Sequence, residues 1–302
     1  MKTIKKLVLA GLLIVLSIAF FTSQVQAFEL QKKYIASDTK WVIHLDFKAF
    51  IKTRLWDSIY DEKKIKIDHK NKDLLNELNF NILKDLYSVS VYGVDKGDKN
   101  AVVLINGDFD RKKIIKRLES EEKPEISKYG NFKVYHWDDD DFGAFVNNNL
   151  LVITHSRVNM EYALDVIKGK KPNFKGSDLS KRMREIPGNS ILFALAGDLS
   201  KLVGKHNKSP IMINKAKMAL FLAMEQNSDM RLSLKLQTES IEAAKNIMQI
   251  GNGLLALARM SKKDMRGKEK IINSIQISSK GNIVEAKMFI PSDFIIDNID
   301  KH

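Results

Sequence analysis

In Arg231-Leu-Ser-Leu-Lys-Leu-Gln237 every second residue is a leucine. Successive side chains of an extended strand leave by opposite faces, so Leu232, Leu234 and Leu236 point one way and Arg231, Ser233, Lys235 and Gln237 the other. A strand with one buried and one wet face belongs to an antiparallel sheet. Tyr87-Ser-Val-Ser-Val-Tyr92 reads the same way. Shorter apolar runs predict further strands at 41–45, 101–105, 132–137, 142–146, 150–154, 191–196, 219–224, 275–279 and 283–290. Asn147-Asn-Asn149 and Lys280-Gly-Asn282 are hairpin turn signals between such runs.

Helical spacing alternates with these strands. It predicts helices at 111–119, 159–168 and 239–260, and a final helix opened by Ser292. The class is therefore α+β. A weak internal repeat runs through it: strand, Asp, helix, strand, strand, cap, helix. Asp46-Phe-Lys-Ala-Phe50 aligns with Asp198-Leu-Ser-Lys-Leu202. Two related lobes of antiparallel sheet with helices packed on one face are expected, at 28–175 and 176–302, joined through the Lys-, Gly- and Pro-rich stretch 168–187. A charged insertion, 56–84, lengthens the first lobe. Ferredoxin-like connectivity is one arrangement compatible with this order.

The first 27 residues set the expected compartment. Lys2, Lys5 and Lys6 precede an apolar run of 15 residues, 7–21, and Val25-Gln-Ala27 closes a small-residue cleavage pattern. That order reads as a signal peptide cut after Ala27. The apolar run is shorter than the ~20 residues of a spanning helix. The chain holds no cysteine, which excludes disulfides, thiolate metal sites and a lipid-modified cysteine after the signal. A large core must then hold the mature chain together, and a periplasmic or extracellular location is expected. No transmembrane helix is expected after cleavage.

Net charge is +13, with three of those charges in the signal lysines. An exported basic chain suits envelope proteins or anionic envelope components as partners. Lys63, Lys64, Lys66, Lys262, Lys263 and Arg266 are the candidate polyanion contacts; further clusters sit at 168–175 and 181–184. None interleaves aromatics as base-stacking surfaces do, so nucleic acid is not expected.

Candidate chemistry is sparse. His44 and Asp46 share one face of a strand, opposite Trp41, Ile43, Leu45 and Phe47, which read as core. The pair has the residue types of a base and its orienter, but Asp46 also stands where a helix cap is needed, as does Asp198. Asp138 to Asp141 lack the ligand spacing of a calcium loop and read as a hairpin. Gly251-Asn-Gly253-Leu-Leu-Ala256 resembles a dinucleotide fingerprint, but lies within a helical pattern and reads as a kink or close packing point. His136 and His155 fall on neighbouring strands. No catalytic, metal or cofactor residue is assigned, and no cofactor is expected. The leading expectation is a non-enzymatic exported binding or scaffold protein. The alternatives are a polyanion- or lipid-contacting surface protein and a hydrolase with a nonlocal site around these histidines.

The segment Ala36-Ser-Asp-Thr-Lys-Trp-Val-Ile-His-Leu-Asp46, followed by Phe50 and Trp56, resembles the opening of uncharacterised exported bacterial proteins built on a repeated strand–helix–strand–strand unit. That resemblance implies architecture and export, and transfers no functional residue.

Overall fold

A computed structural model describes residues 30–61, 75, 77–95, 100–121, 123–137, 140–199, 216–260 and 268–299. The expected signal peptide lies outside the described residues. Twelve strands form one antiparallel sheet in an α+β fold. They are β1 (Trp41–Asp46), β2 (Leu86–Gly93), β3 (Ala101–Gly107), β4 (Glu125–Tyr129), β5 (Phe132–Trp137), β6 (Asp141–Asn147), β7 (Leu150–Thr154), β8 (Leu192–Gly197), β9 (Ala216–Gln226), β10 (Asp229–Thr238), β11 (Gln276–Lys280) and β12 (Ile283–Ile290). The spatial order is β11-β12-β10-β9-β8-β1-β2-β3-β7-β6-β5-β4. Eleven of them fall on predicted runs. The twelfth, β4, has only Ile126 and Tyr129 as apolar residues and gives no alternation to read.

The two predicted lobes share this sheet. At its centre β1 pairs antiparallel with β8, setting Ile43 opposite Ala194 and His44 opposite Phe193. Outward from that pair, each side runs three sequential strands and then a hairpin entered from its second strand: β1-β2-β3-β7-β6 and β8-β9-β10-β12-β11. A ferredoxin-like unit would place another strand between β1 and β2. Here β1 pairs directly with β2, Val42 opposite Tyr92, because a compact meander satisfies both edges locally. The expected boundary at 175/176 falls inside the short turn Phe174–Gly176. Phe174 is fully buried, in a cluster that holds Val42 and Tyr92 together with Leu195 and Leu220.

Helices cover both faces, not one, because the central strands are apolar on both: in β3, Val102 and Leu104 face one side, Val103 and Ile105 the other. The face bearing His44 is covered by α5 (Arg157–Ile167) through Met160, Ala163 and Leu164, and flanked by α6 (Asp178–Arg182). The face bearing Ile43 carries three separate groups. At the Asp46 end, α1 (Phe47–Phe50), α2 (Arg54–Asp61), α3 (Ile82–Asp85) and α9 (Ser292–Ile299) pack on Leu45, Val89, Leu192 and Leu232. Toward one edge, α4 (Arg111–Glu121) sets Leu118 on Tyr135, Trp137 and Ile153. Toward the other, α7 (Ile241–Met260) sets Ala244 and Ile247 on Val284. A short helix, α8 (Glu269–Ser274), leads into β11.

Local chemistry fixes the ends of these elements. Asp46 accepts from Ala49 N at 2.8 Å and caps α1, as its position predicts. Ser156 caps α5 by accepting from Asn159 N at 3.2 Å, and Ser240 accepts from Ala243 N at 3.0 Å at the start of α7. Gly281, at φ +58°, turns the β11–β12 hairpin in a backbone region that favours glycine.

Because Phe174 is shared by both sides of the sheet, Phe174→Ala is expected to cost about 3–5 kcal/mol. Urea unfolding followed by tryptophan fluorescence and by circular dichroism checks this. A single transition shifted to lower urea in both signals is the expected outcome.

Candidate binding groove

Directly opposed residues of antiparallel strands put their side chains on one face. Following the registers from β10 to β2 gives a continuous row: Leu234, Phe221, Ala194, Ile43, Val91. The next row, one pleat toward the Trp41 end, is Leu236, Ala219, Ala196, Trp41, Gly93. All ten residues are apolar, and nine of them are incompletely buried. Ile43 is 38% exposed and Leu234 37%, each in the middle of an interior strand. The sequence reading placed both in the core. Their strands do put them on the apolar face, but the helices of that face stop short of them: α1, α2, α3 and α9 cover only the Asp46 end, and α7 and α4 stand off to the two sides. With strands ~4.8 Å apart, five of them make a strip about 19 Å long.

The strip has a relief set by side-chain size. A low floor is made by Ala194, between Phe221 and Ile43, and by Ala219 and Ala196, between Leu236 and Trp41. Trp41 lies over Gly93, where an added Cβ would meet the indole at 2.6 Å, and its Nε1 donates to Asp95 O at 2.7 Å. Glycine at 93 is thus what lets the ring lie flat on the sheet.

Helix α7 contributes a wall. Its sheet-facing seam runs through Ala244, Ile247, Gly251 and Leu255, of which all but the half-buried Gly251 are buried. Gly251 is the close packing point, with its missing Cβ position 2.9 Å from Ile277 Cδ1. One flank of the helix turns to the sheet edge, where Asn252 and Arg259 donate to the carbonyls of Ile277 and Ile275. The opposite flank, at 100° per residue, carries Ile250, Leu254 and Leu257 and turns away from that edge. Leu254 is 55% exposed and Leu257 65%.

The residues singled out by sequence fare differently. His44 is buried on the other face, its Nδ1 2.8 Å from Ser90 Oγ and its ring centroid 5.3 Å from that of Phe193, its two cross-strand neighbours. Asp46 is buried as a cap. Asp198 lies at φ +50° with its carboxylate 3.6 Å from Lys40 Nζ, and most of the helix predicted after it lies outside the described residues. His136 stacks on Phe142 at 4.3 Å and faces Glu125 at 3.5 Å, whereas His155 meets Asp141 at 2.6 Å, so each has its own carboxylate. Asp138 and Asp139 lie outside the described residues, as do Lys63, Lys64, Lys66, Lys262, Lys263 and Arg266. Among the described residues no group of three or more metal-ligating side chains occurs. No described helix is long and apolar enough to cross a membrane.

On the His44 face a polar cleft of about 820 Å³ opens beside α6, lined by Asp38, Thr39, Lys40, Lys181, Arg182 and Asp198 among others. Its charges are largely matched: Lys181 to Asp178 at 2.7 Å, Arg182 to Glu185 at 3.1 Å. Tyr162 donates to Asp38 at 2.9 Å, and burial together with that bond pushes its phenol up to about 12.

One buried carboxyl braces a wall of the groove. Glu225 on β9 is buried and accepts from the backbone N–H groups of Arg54 and Leu55 at the start of α2. Burial raises its pKa to about 7, with Asp57 adding to the rise and Arg54 opposing it. The folded protein therefore holds a proton that the unfolded chain releases at a lower pH. Its stabilising effect is full below the unfolded value and is lost as pH climbs through about 7. Thermal midpoints are expected to fall between pH 5 and pH 8, and Glu225→Gln is expected to flatten that slope; midpoints at several pH values, wild type against variant, check it.

No protein-family model matches the chain, and no curated protein does. Solved structures of TP0453 do resemble it. Crystal form III superposes with a TM-score of 0.56 at 8% identity, covering 92% of this chain and 99% of that one. Form I gives 0.54 at 11% identity over 92% and 99%, and form IV 0.53 at 9% over 89% and 95%. At such identities the likeness is one of fold: this chain shares the overall α+β architecture of TP0453.

Proposed function

We propose that the protein is an exported, non-enzymatic binding protein of the bacterial envelope, and that its working surface is the apolar strip across the middle of the sheet. Export rests on the lysine-led apolar run and the Val25-Gln-Ala27 pattern. Binding rests on one observation: Ile43 and Leu234, mid-strand residues of the sheet interior, are left open beside an equally open flank of α7. Exposed apolar area costs about 25 cal/mol per Å² relative to burial, and contiguous patches of this kind on monomers mark interaction sites. An apolar ligand lying on the strip recovers that energy. Asp46, Asp141, Glu185 and Glu225 serve as cap, ion pairs and brace, a distribution that suits holding a ligand more than transforming one.

Residues 28–302 titrated with a neutral apolar dye, phenylnaphthylamine, test the reading. Dye fluorescence is expected to rise and saturate. Ala194→Trp, which fills the floor, and Ile43→Asp, which places a charge on it, are each expected to weaken the dye at least about tenfold, or 1.4 kcal/mol. Unchanged dye binding by both variants, with their folds intact by circular dichroism, sinks the proposal.

A further inference from the structure

The polar cleft beside α6 lies on the other face of the sheet from the strip and has a different chemistry. Its floor crosses three strands: Gly197 of β8 pairs with Met218 of β9, which pairs with Gln237 of β10. Lys40, just before β1, extends that row, since Gly197 N donates to Lys40 O at 2.8 Å. Gly197 keeps the floor low where α6 comes down on it: an added Cβ would stand 3.3 Å from Leu179 Cδ1. Eight charged side chains line the cleft, four of each sign. Six of them stand in ion pairs: Lys40 with Asp198 at 3.6 Å, Lys181 with Asp178 at 2.7 Å and Arg182 with Glu185 at 3.1 Å. Arg182 also donates to Gln237 at 2.9 Å, which ties the guanidinium to the floor. Two charges remain without a counter-ion among the described residues: Asp38, whose carboxylate accepts from the neutral hydroxyl of Tyr162, and Lys217.

We infer that this cleft is a second binding site and that it takes a short zwitterionic peptide, about three residues long, with its ammonium at Asp38 and its carboxylate at Lys217. Three observations carry it. The first is the sign and place of the two unpaired charges. A lone cation or anion would satisfy one of them, whereas a zwitterion satisfies both. The second is distance. Asp38 leads into β1 and Lys217 opens β9, with β8 between those strands. Two strand spacings amount to about 10 Å. A free amino acid, with both charges on one α-carbon, is too short for that. An extended peptide advances about 3.3–3.6 Å per residue, so three residues span it. The third is the rest of the lining. It is balanced in charge, which disfavours a polyanion, and it holds no aromatic side chain on which a nucleobase would stack. Its carboxylates and ammonium groups offer acceptors and donors side by side, as the alternating N–H and C=O of a peptide need. The hydroxyl of Thr39, between Asp38 and Lys40 in the chain, is buried without a hydrogen-bond partner among the described residues, which favours a polar guest over an apolar one. Each end contact joins exposed groups and contributes little alone, so the affinity is modest.

Isothermal titration calorimetry on residues 28–302 tests this with one peptide in several forms: trialanine, trialanine amide, N-acetyl-trialanine and the peptide blocked at both ends. Trialanine is expected to bind, and blocking either end is expected to weaken it at least about fivefold, or ~1 kcal/mol. Asp38→Asn, which keeps an acceptor for Tyr162, is expected to abolish the difference between trialanine and its N-acetyl form while leaving the difference made by the amide. Lys217→Gln is expected to do the reverse. Circular dichroism reports the folds of both variants. Phenylnaphthylamine, taken up on the opposite face, is expected to bind them as it binds the wild type, so the two sites stand or fall separately. Equal binding of all the peptides, binding of none, or end preferences that survive both variants overturns the inference. Binding of maltotriose in place of trialanine, weakened by Asp38→Asn, also overturns it, in favour of a neutral saccharide.

Discussion

The antiparallel pairing of β1 with β8 is the contact on which the other features depend. It joins what would otherwise be two sheets, each with a bare apolar edge in the middle of the molecule. Pairing continues past both strand ends, through Asp46 N to Ile191 O at 2.7 Å and Gly197 N to Lys40 O at 2.8 Å. The register also sorts side chains. It sets His44 between Ser90 and Phe193 and buries Val42 on one face, while Ile43 and Ala194 meet on the other. A slip of one residue would exchange the two sets, opening the core and burying the strip. Core and groove are thus consequences of one alignment.

That alignment also explains why an apolar floor in the sheet interior is tolerable. Backbone groups of an interior strand are satisfied by their neighbours on either side, so leaving Ile43 uncovered exposes hydrocarbon but no unpaired amide. The flanking helices then differ by sequence alone. Helices α4 and α7 follow β3 and β10, strands in matching places either side of the central pair, yet one shows lysines and the other leucines. A scaffold that is alike on its two sides thus carries unlike surfaces.

Much of this architecture is legible in the residues. Alternation in β10 and the apolar runs of the other strands locate the sheet, and Asp46 announces the cap of α1 by standing where a strand becomes a helix. Strand β4 is not legible, because Glu125-Ile-Ser-Lys-Tyr129 lies at the sheet's edge with its side chains largely in water and needs no apolar rhythm. The groove is illegible for a different reason. Periodicity says which face Leu234 and Ile43 occupy. Whether a helix reaches far enough to cover that face depends on how α7 and α9 divide the space, which no local pattern encodes. His44 illustrates the reverse case. Its neighbour Asp46 suggests chemistry in the sequence, but the sheet gives it a serine on one side and a phenyl ring on the other.

The two outermost strands, β4 and β11, are five residues long and show Glu125, Lys128, Gln276 and Lys280 to solvent. Rims so short and so polar are poor templates for another chain, since an incoming strand would find few carbonyls and amides and would have to desolvate charge. The width of the sheet is therefore self-limiting. This matters for a molecule that keeps hydrocarbon open at its middle: copies crowded together meet by charged borders, so stickiness at the centre does not become polymerisation along the edge.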